Sequence, residues 1–177
     1  MNTSSAITIS AMLPYPGDQI RYIARFQDQT VAILSFRAAV WKAAPRDQFI
    51  GWTHPKRKEN LHLIINNARF LILPWVQTPN LASRILSMTT KRVVHDWKHR
   101  YQYAPVLVET FVEISRFTGT CYQAANWCYL GKTKGVGMLG NTKKPQLPVR
   151  SIWVQINTTQ FIKPSKKYLT AFTFACI

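Results

Sequence analysis

The segment Leu61–Lys134 constrains the fold most, because apolar and amphipathic stretches alternate there over very short joints. Leu61–Pro74 is rich in β-formers and stops at a proline. Thr78-Pro-Asn-Leu81 then opens a long helix to about Tyr101. Pro105–Val112 is a second apolar strand, Gly119–Trp127 a short helix, and Cys128–Gly131 the start of another strand. Connections this short make the strands near 70, 107 and 130 neighbours or near-neighbours, with right-handed crossovers where they run parallel. The expected fold class is α+β (α/β mixed): a mixed central β-sheet flanked by helices.

The rest of the chain adds strands to that unit. Residues 1–18 read as a flexible lead ending in the turn Pro14–Asp18. Gln19–Phe26 and Thr30–Phe36 alternate as a β-hairpin, with Ile20, Tyr22 and Ala24 on one face and Arg21, Ile23 and Arg25 on the other. Ala38–Ala44 is Ala-rich and expected to be a short helix ended by Pro45. Phe49–Trp52 reads as an aromatic knot in a loop, and Pro55–Asn60 as a basic, helix-capable turn. In the long helix Thr78 or Asn80 can cap. Leu81, Ala82, Ile85, Leu86, Thr89, Val93 and Trp97 form the core-facing stripe. Leu147–Gln155 is a last strand candidate, so one domain spans residues 19–160, and residues 161–177 read as a divergent tail.

Length and charge narrow the function classes. A chain of 177 residues suits one domain with a real core, and an apolar content of 47% excludes general disorder. Lys and Arg number 23 against 7 Asp and Glu, a net charge of +16. Such an excess repels itself and favours a neutralising polyanion, by default nucleic acid. No window resembles a membrane span, and Met1–Met12 lacks the features of a secretory signal. Cys121, Cys128 and Cys176 have no paired spacing, which points to a reducing cytoplasm. No metal site is expected from His54, His62, His95 and His99, and seven scattered acids do not suggest a two-metal carboxylate centre.

Several blocks carry a family resemblance. They are Asp47–Trp52, Asn60–Pro74, Asn80–Ser83, Asp96-Trp97, Pro105–Val112 and Gly119–Trp127. Together they resemble the DruA family of bacterial domains, known from the Druantia anti-phage system and also found fused to insertion-sequence transposases. The resemblance covers roughly residues 12–160. The order of elements is similar to the GNAT acyltransferase fold, in which a strand meets a helix N-terminus that receives the cofactor pyrophosphate. Phe70–Leu73, Thr78–Leu81, Pro105–Val112 and Cys121–Gly131 fill those places. Three departures stand out. Arg84 replaces a usual His, Gly135-Val-Gly137 replaces a Gly-Arg-Gly-like loop, and helices expected upstream are missing, as in a truncated copy.

Three groups of candidate residues follow. Arg84, Lys91, Arg92, Lys98 and Arg100 on the long helix, with Lys132, Lys134, Lys143 and Lys144 in a Gly/Lys loop, are candidates for nucleic-acid phosphates. Asn66, Asn67 and Arg69, with Asn80, Ser83 and Asn126, are candidates for a cleft. Two adjacent Asn in a β-run mark either a hydrogen-bonded bulge or a site. Glu109, alone in an apolar strand, is either buried against a cation such as Arg69 or a general base. Cys121 near a helix start is either a nucleophile or a packed thiol. The GNAT resemblance would make Tyr122 a general acid toward a leaving thiolate. It also implies acetyl-CoA, yet Val76–Ser83 lacks the Arg-x-x-Gly-x-Gly/Ala pattern that cradles acyl-CoA, so no cofactor is expected. Three functions stay open: a nucleic-acid-associated accessory domain of a defence or mobile-element system, an acyltransferase, and an adaptor for a protein such as a helicase.

Overall fold

Alternating burial along each strand decides which residues enter the core. The computed structural model describes residues 7–12, 17–135 and 147–157. Its strands are β1 (Ile7–Ala11), β2 (Gln19–Phe26), β3 (Gln29–Ala38), β4 (Ile64–Ile72), β5 (Leu107–Glu113), β6 (Cys128–Lys132) and β7 (Arg150–Ile156). They form one sheet in the order β1-β2-β3-β4-β5-β7-β6. Only β4 and β5 pair in parallel; every other neighbouring pair among the described residues is antiparallel. The helices are α1 (Ala44–Ile50), α2 (His54–Asn60), α3 (Leu81–Tyr101) and α4 (Thr120–Ala124). This is the mixed sheet with flanking helices expected from the order of elements.

Each face of the sheet has its own core. Tyr22, Leu34, Phe36, Ile65 and Val108 point to the face covered by α3 and α4. The buried stripe of α3 is Leu81, Ile85, Leu86, Thr89, Thr90, Val93 and Trp97, with Ala82 half-buried at its margin. Full burial of each large aliphatic there contributes about 1.5–3 kcal/mol. Thr89 and Thr90 enter without an orphaned hydroxyl, since each Oγ1 donates to the carbonyl four residues back, at 2.7 and 2.8 Å. On the other face Phe49 and Ile50 of α1 pack against Ile64, Leu107, Leu130, Ile152 and Val154. That second core lies under β5, β7, β6 and the start of β4.

The structure corrects three local expectations. Residues 7–11, assigned to a flexible lead, form β1 and pair antiparallel with β2. Residues 38–43 are not helical: β3 runs to Ala38, and Pro45 lies in the first turn of α1, where its missing N–H costs nothing. Phe49 and Ile50 therefore sit inside a helix, which ends at Gly51 with φ 77°. Residues 161–177 lie outside the described residues.

Polar ties fasten α3 to the edge of the sheet. The buried Tyr22 hydroxyl donates to Asp96 Oδ2 at 2.9 Å. Arg92 donates Nε to the same oxygen at 3.1 Å and Nη1 to the Ile9 carbonyl at 2.7 Å. Burial opposes ionisation of Asp96, but the bonds from Arg92, Tyr22 and His95 outweigh it and hold the carboxyl below its usual range. A depressed folded pKa stabilises the fold above the ordinary aspartate range, and that stabilisation is lost as pH falls through the folded value. Asp96→Asn should therefore lower the urea midpoint at neutral pH, and the gap from wild type should close in strong acid. A gap that persists unchanged in acid would show that the carboxylate charge is not what holds β1 to α3.

Candidate functional site

The apolar strand β5 carries one acid in its interior, Glu109, besides Glu113 at its end, and the interior acid determines the chemistry at the centre of the sheet. Glu109 and Arg46 are both 0% exposed. Arg46 Nη1 donates to Glu109 Oε2 at 2.9 Å, to Oε1 at 3.2 Å and to the Val40 carbonyl at 2.9 Å. Val40 N–H donates to Glu109 Oε1 at 3.1 Å. The other edge of the guanidinium reaches Asp47 Oδ1 through Nη2 at 2.8 Å and Nε at 3.0 Å. Arg57 then donates Nη1 to Asp47 Oδ2 at 2.9 Å, with its guanidinium over the half-exposed Trp41 ring. Two cations and two anions thus form a neutral, largely buried cluster.

This cluster revises the role considered for Glu109. Its partner is Arg46, not Arg69, and it faces protein rather than a cleft. Burial pushes its carboxyl up, against the pull of Arg46 and the Val40 N–H. With two bonds from Arg46 it is a structural ion-pair member. Arg46, Asp47 and Arg57 were not singled out from sequence. The available signal was Glu109 itself, since a lone acid in an apolar strand demands a cation.

On the opposite face of β5, polar side chains close the place where β4 and β5 part. Direct pairing runs only from Ile64↔Leu107 to Asn66↔Glu109. Beyond it Thr110 Oγ1 donates to the Asn67 carbonyl at 3.0 Å, and the Tyr122 hydroxyl donates to Asn67 Oδ1 at 3.0 Å. The Asn67 amide also donates to the Arg69 carbonyl at 3.1 Å and the Ser35 carbonyl at 3.4 Å, spanning the register shift opposite Ser35/Phe36. Asn67 is thus the hydrogen-bonded bulge rather than a cleft ligand. Asn66 is buried beside Arg37 and Glu109, and its Oδ1 has no partner among the described residues. Burial raises the Tyr122 hydroxyl well above its ordinary pKa and pushes the Cys121 thiol up. For Cys121 that is the opposite of what a nucleophile needs.

The start of α3 forms one open depression among the described residues, and another, of about 460 Å³, is lined by Gln123, Trp127, Tyr129 and Trp153. Thr78, Pro79, Asn80, Ser83, Arg84 and Ser87 contribute to an open depression of about 370 Å³. Asn80 adopts φ 59° and makes no side-chain cap, while Ser83 Oγ donates backwards to the Asn80 carbonyl at 3.0 Å. First-turn N–H groups therefore face the depression without a side-chain acceptor, beside the exposed Arg84. Asn126 is exposed in the turn after α4 with φ 62°.

The described candidate phosphate-binding cations lie on α3 and at and beyond the end of β6. Lys91 and Lys98 are exposed on α3, and Lys132 and Lys134 are exposed at and beyond the end of β6. Arg92 is engaged with Asp96 and the β1 backbone through Nε and Nη1 while its side chain stays about half exposed. Arg100 lies half-buried over the Tyr101 ring. Lys143 and Lys144 lie outside the described residues. No helix among the described residues is long and apolar enough to cross a membrane.

This architecture has solved counterparts among GNAT acetyltransferases. One is a Bacillus subtilis acetyltransferase in complex with CoA, 7% identical, with a TM-score of 0.55 over 86% of this chain and 100% of that one. Another is an aminoglycoside acetyltransferase AAC(6')-Ib in complex with coenzyme A, 13% identical, with a TM-score of 0.52 over 79% of this chain and 67% of that one. At such identities the likeness establishes the fold alone. No match was found among curated proteins. The family model for Druantia protein DruA matches residues 6–159, and the chain belongs to the DruA family.

Replacing Glu109 separates a structural from a catalytic role. Glu109→Ala leaves Arg46 buried beside an empty site, and losing one member of such a pair costs about 3–5 kcal/mol. Equilibrium unfolding in urea should show that loss. A base serving only a reaction would leave stability at the wild-type value.

Proposed function

We propose that this DruA-family chain is a nucleic-acid-associated component of a defence or mobile-element system, acting through cationic surface rather than a reactive side chain. The observation that carries this reading is the distribution of its acids. Asp47 and Glu109 are engaged with Arg46 and Arg57, and Asp96 with Arg92. Three of the seven acids thus neutralise three cations, so the whole excess of +16 stays on other side chains. A surface so depleted of anions favours a polyphosphate partner. Protein components of the same system are the second class of partner expected.

The acyltransferase reading has the CoA-bound fold neighbours in its favour. Two observations weigh against it. Val76–Ser83 lacks the glycine-bearing pyrophosphate pattern. The parting of β4 and β5 is closed by Asn67, Thr110 and Tyr122, whose hydroxyl is bonded inside the core.

Binding should fall steeply with salt. If four phosphates are contacted on a single strand, affinity should drop about 50-fold between about 50 and about 200 mM salt, following a slope of about −0.7 per phosphate. Fluorescence anisotropy with labelled oligonucleotides measures this, and salt-insensitive or absent binding rejects the reading. Calorimetric titration with acetyl-CoA should be flat; a saturable heat would favour the acyltransferase instead.

A further inference from the structure

The two faces of the sheet are covered unequally. α3 and α4 cover one face across its width, whereas α1 and α2 meet the other face only over β5, β7, β6 and the start of β4. Among the described residues no helix packs over β1–β3 or the part of β4 beyond its start on that second face. Its side chains are those that alternation turns away from the α3 core.

Strand register sets them in rows. Arg21 of β2 lies opposite Ser35 of β3, which lies opposite Arg69 of β4. Two residues further along, Ile23, Ile33 and Leu71 form an apolar row. Arg21 and Arg69 lie one row to one side of the apolar row with Arg37 a row beyond them, and Arg25 lies one row to the other side, so cations flank the apolar row on both sides. Rows are about 6.8 Å apart and neighbouring strands about 4.8 Å. Ile33 is 37% and Leu71 is 51% exposed. Arg37 and Arg69 are exposed and form no ion pair with an acid among the described residues. Arg25 donates Nη1 to Ser10 Oγ at 3.3 Å, which holds it along the face. Within β1–β4 no acid occupies a position on these rows; the Arg37 row meets its first acid at Glu109 of β5, which is buried and paired with Arg46.

We infer that this open face of β1–β4 docks a single-stranded nucleic acid, with phosphates on the arginine rows and base or sugar faces over Ile23, Ile33 and Leu71. The inference rests on the nucleic-acid reading and names its surface. Charge complementarity selects the occupant. Arg21, Arg25, Arg37 and Arg69 gather like charge on β2–β4 with no acid beside them in β1–β4, and such a patch favours a polyanion that neutralises it. Arginine matches a phosphate bidentately. A duplex keeps its base faces stacked inside, so only an unpaired strand can lay them on an aliphatic row. With no aromatic platform or base-edge reader in the rows, recognition is tolerant of sequence.

Anisotropy with a labelled oligonucleotide of about 16 nucleotides, and with its duplex, tests this. Arg37→Gln/Arg69→Gln should weaken single-strand binding about tenfold or more and flatten the slope of log K against log salt by about 1.4. Ile33→Thr/Leu71→Thr, which keeps β-branched or β-compatible residues at exposed positions, should weaken single-strand binding with the slope unchanged and leave duplex binding as in wild type. Lys91→Gln/Lys98→Gln on α3, across the sheet, should leave the slope near wild type. If instead the α3 pair flattens the slope and the β3/β4 pair does not, this face is wrong and the nucleic-acid reading stands. Absence of binding by the wild-type chain overturns both. Photocrosslinking of wild-type protein to a thionucleotide-bearing strand gives an answer independent of variant folding. Adducts are expected within residues 19–38 and 64–72, and adducts confined to residues 81–101 overturn the assignment.

Discussion

The contact of Arg46 Nη1 with both carboxylate oxygens of Glu109 organises the centre of the molecule. Two fully buried charges cost several kcal/mol each to desolvate, and that cost is offset only when their hydrogen-bonding capacity is met. Here it is met from both sides. Glu109 accepts from Arg46 and from Val40 N–H, and Arg46 also engages Asp47 and the Val40 carbonyl. The cluster fixes where α1 sits, because Arg46 and Asp47 belong to its first turn while Glu109 belongs to the middle of β5. A helix pinned over β5 packs on β7, β6 and the start of β4, and among the described helices none extends from there over β1–β3 on the same face.

What was legible in the sequence follows the range of the interactions involved. The β2–β3 hairpin, the α3 stripe and β4, β5 and β6 are encoded by local periodicity, and the structure reproduces them. β1 was hidden because five residues with only two large apolar side chains, Ile7 and Ile9, become a strand through pairing with β2 and the clamp from Arg92. Pro45 is ambiguous by nature, since proline both ends one helix and begins the next. The family blocks were legible as blocks, but Arg46 lies just before Asp47–Trp52, and its role depends on a contact 63 residues away. The alternation of Arg21, Ile23 and Arg25 against Ile20, Tyr22 and Ala24 was legible too. Which set meets solvent was not, because that depends on how far α1 and α2 reach.

The same topology explains why the long helix was the more visible candidate. A helical cation run is conspicuous in one dimension. Arg92 shows that such a cation can be engaged in tertiary contacts, here an acid one turn on and the carbonyl of a strand. Arginines contributed by three strands are scattered through the sequence and become neighbours only through register. Arg37 and Arg69 are 32 residues apart in sequence yet lie on adjacent strands.

A sheet that parts between β4 and β5 must satisfy the backbone it exposes. This chain does so internally. Thr110 takes up the Asn67 carbonyl, Asn67 spans its own bulge, and Tyr122 completes the set from α4. Tyr122 is held in place by edge contacts with Trp127 and Phe70, and α4 begins at Gly119, where a Cβ would lie 2.8 Å from the Trp153 indole. Each of these groups gains its partner without a ligand, so entry of one would break bonds already made. Binding energy on such a scaffold is more readily found where groups are still free to exchange water for a partner. On the described surface that condition is met by exposed arginines around an uncovered aliphatic row, which is where the chemistry of this fold has room to differ from that of its cofactor-binding counterparts.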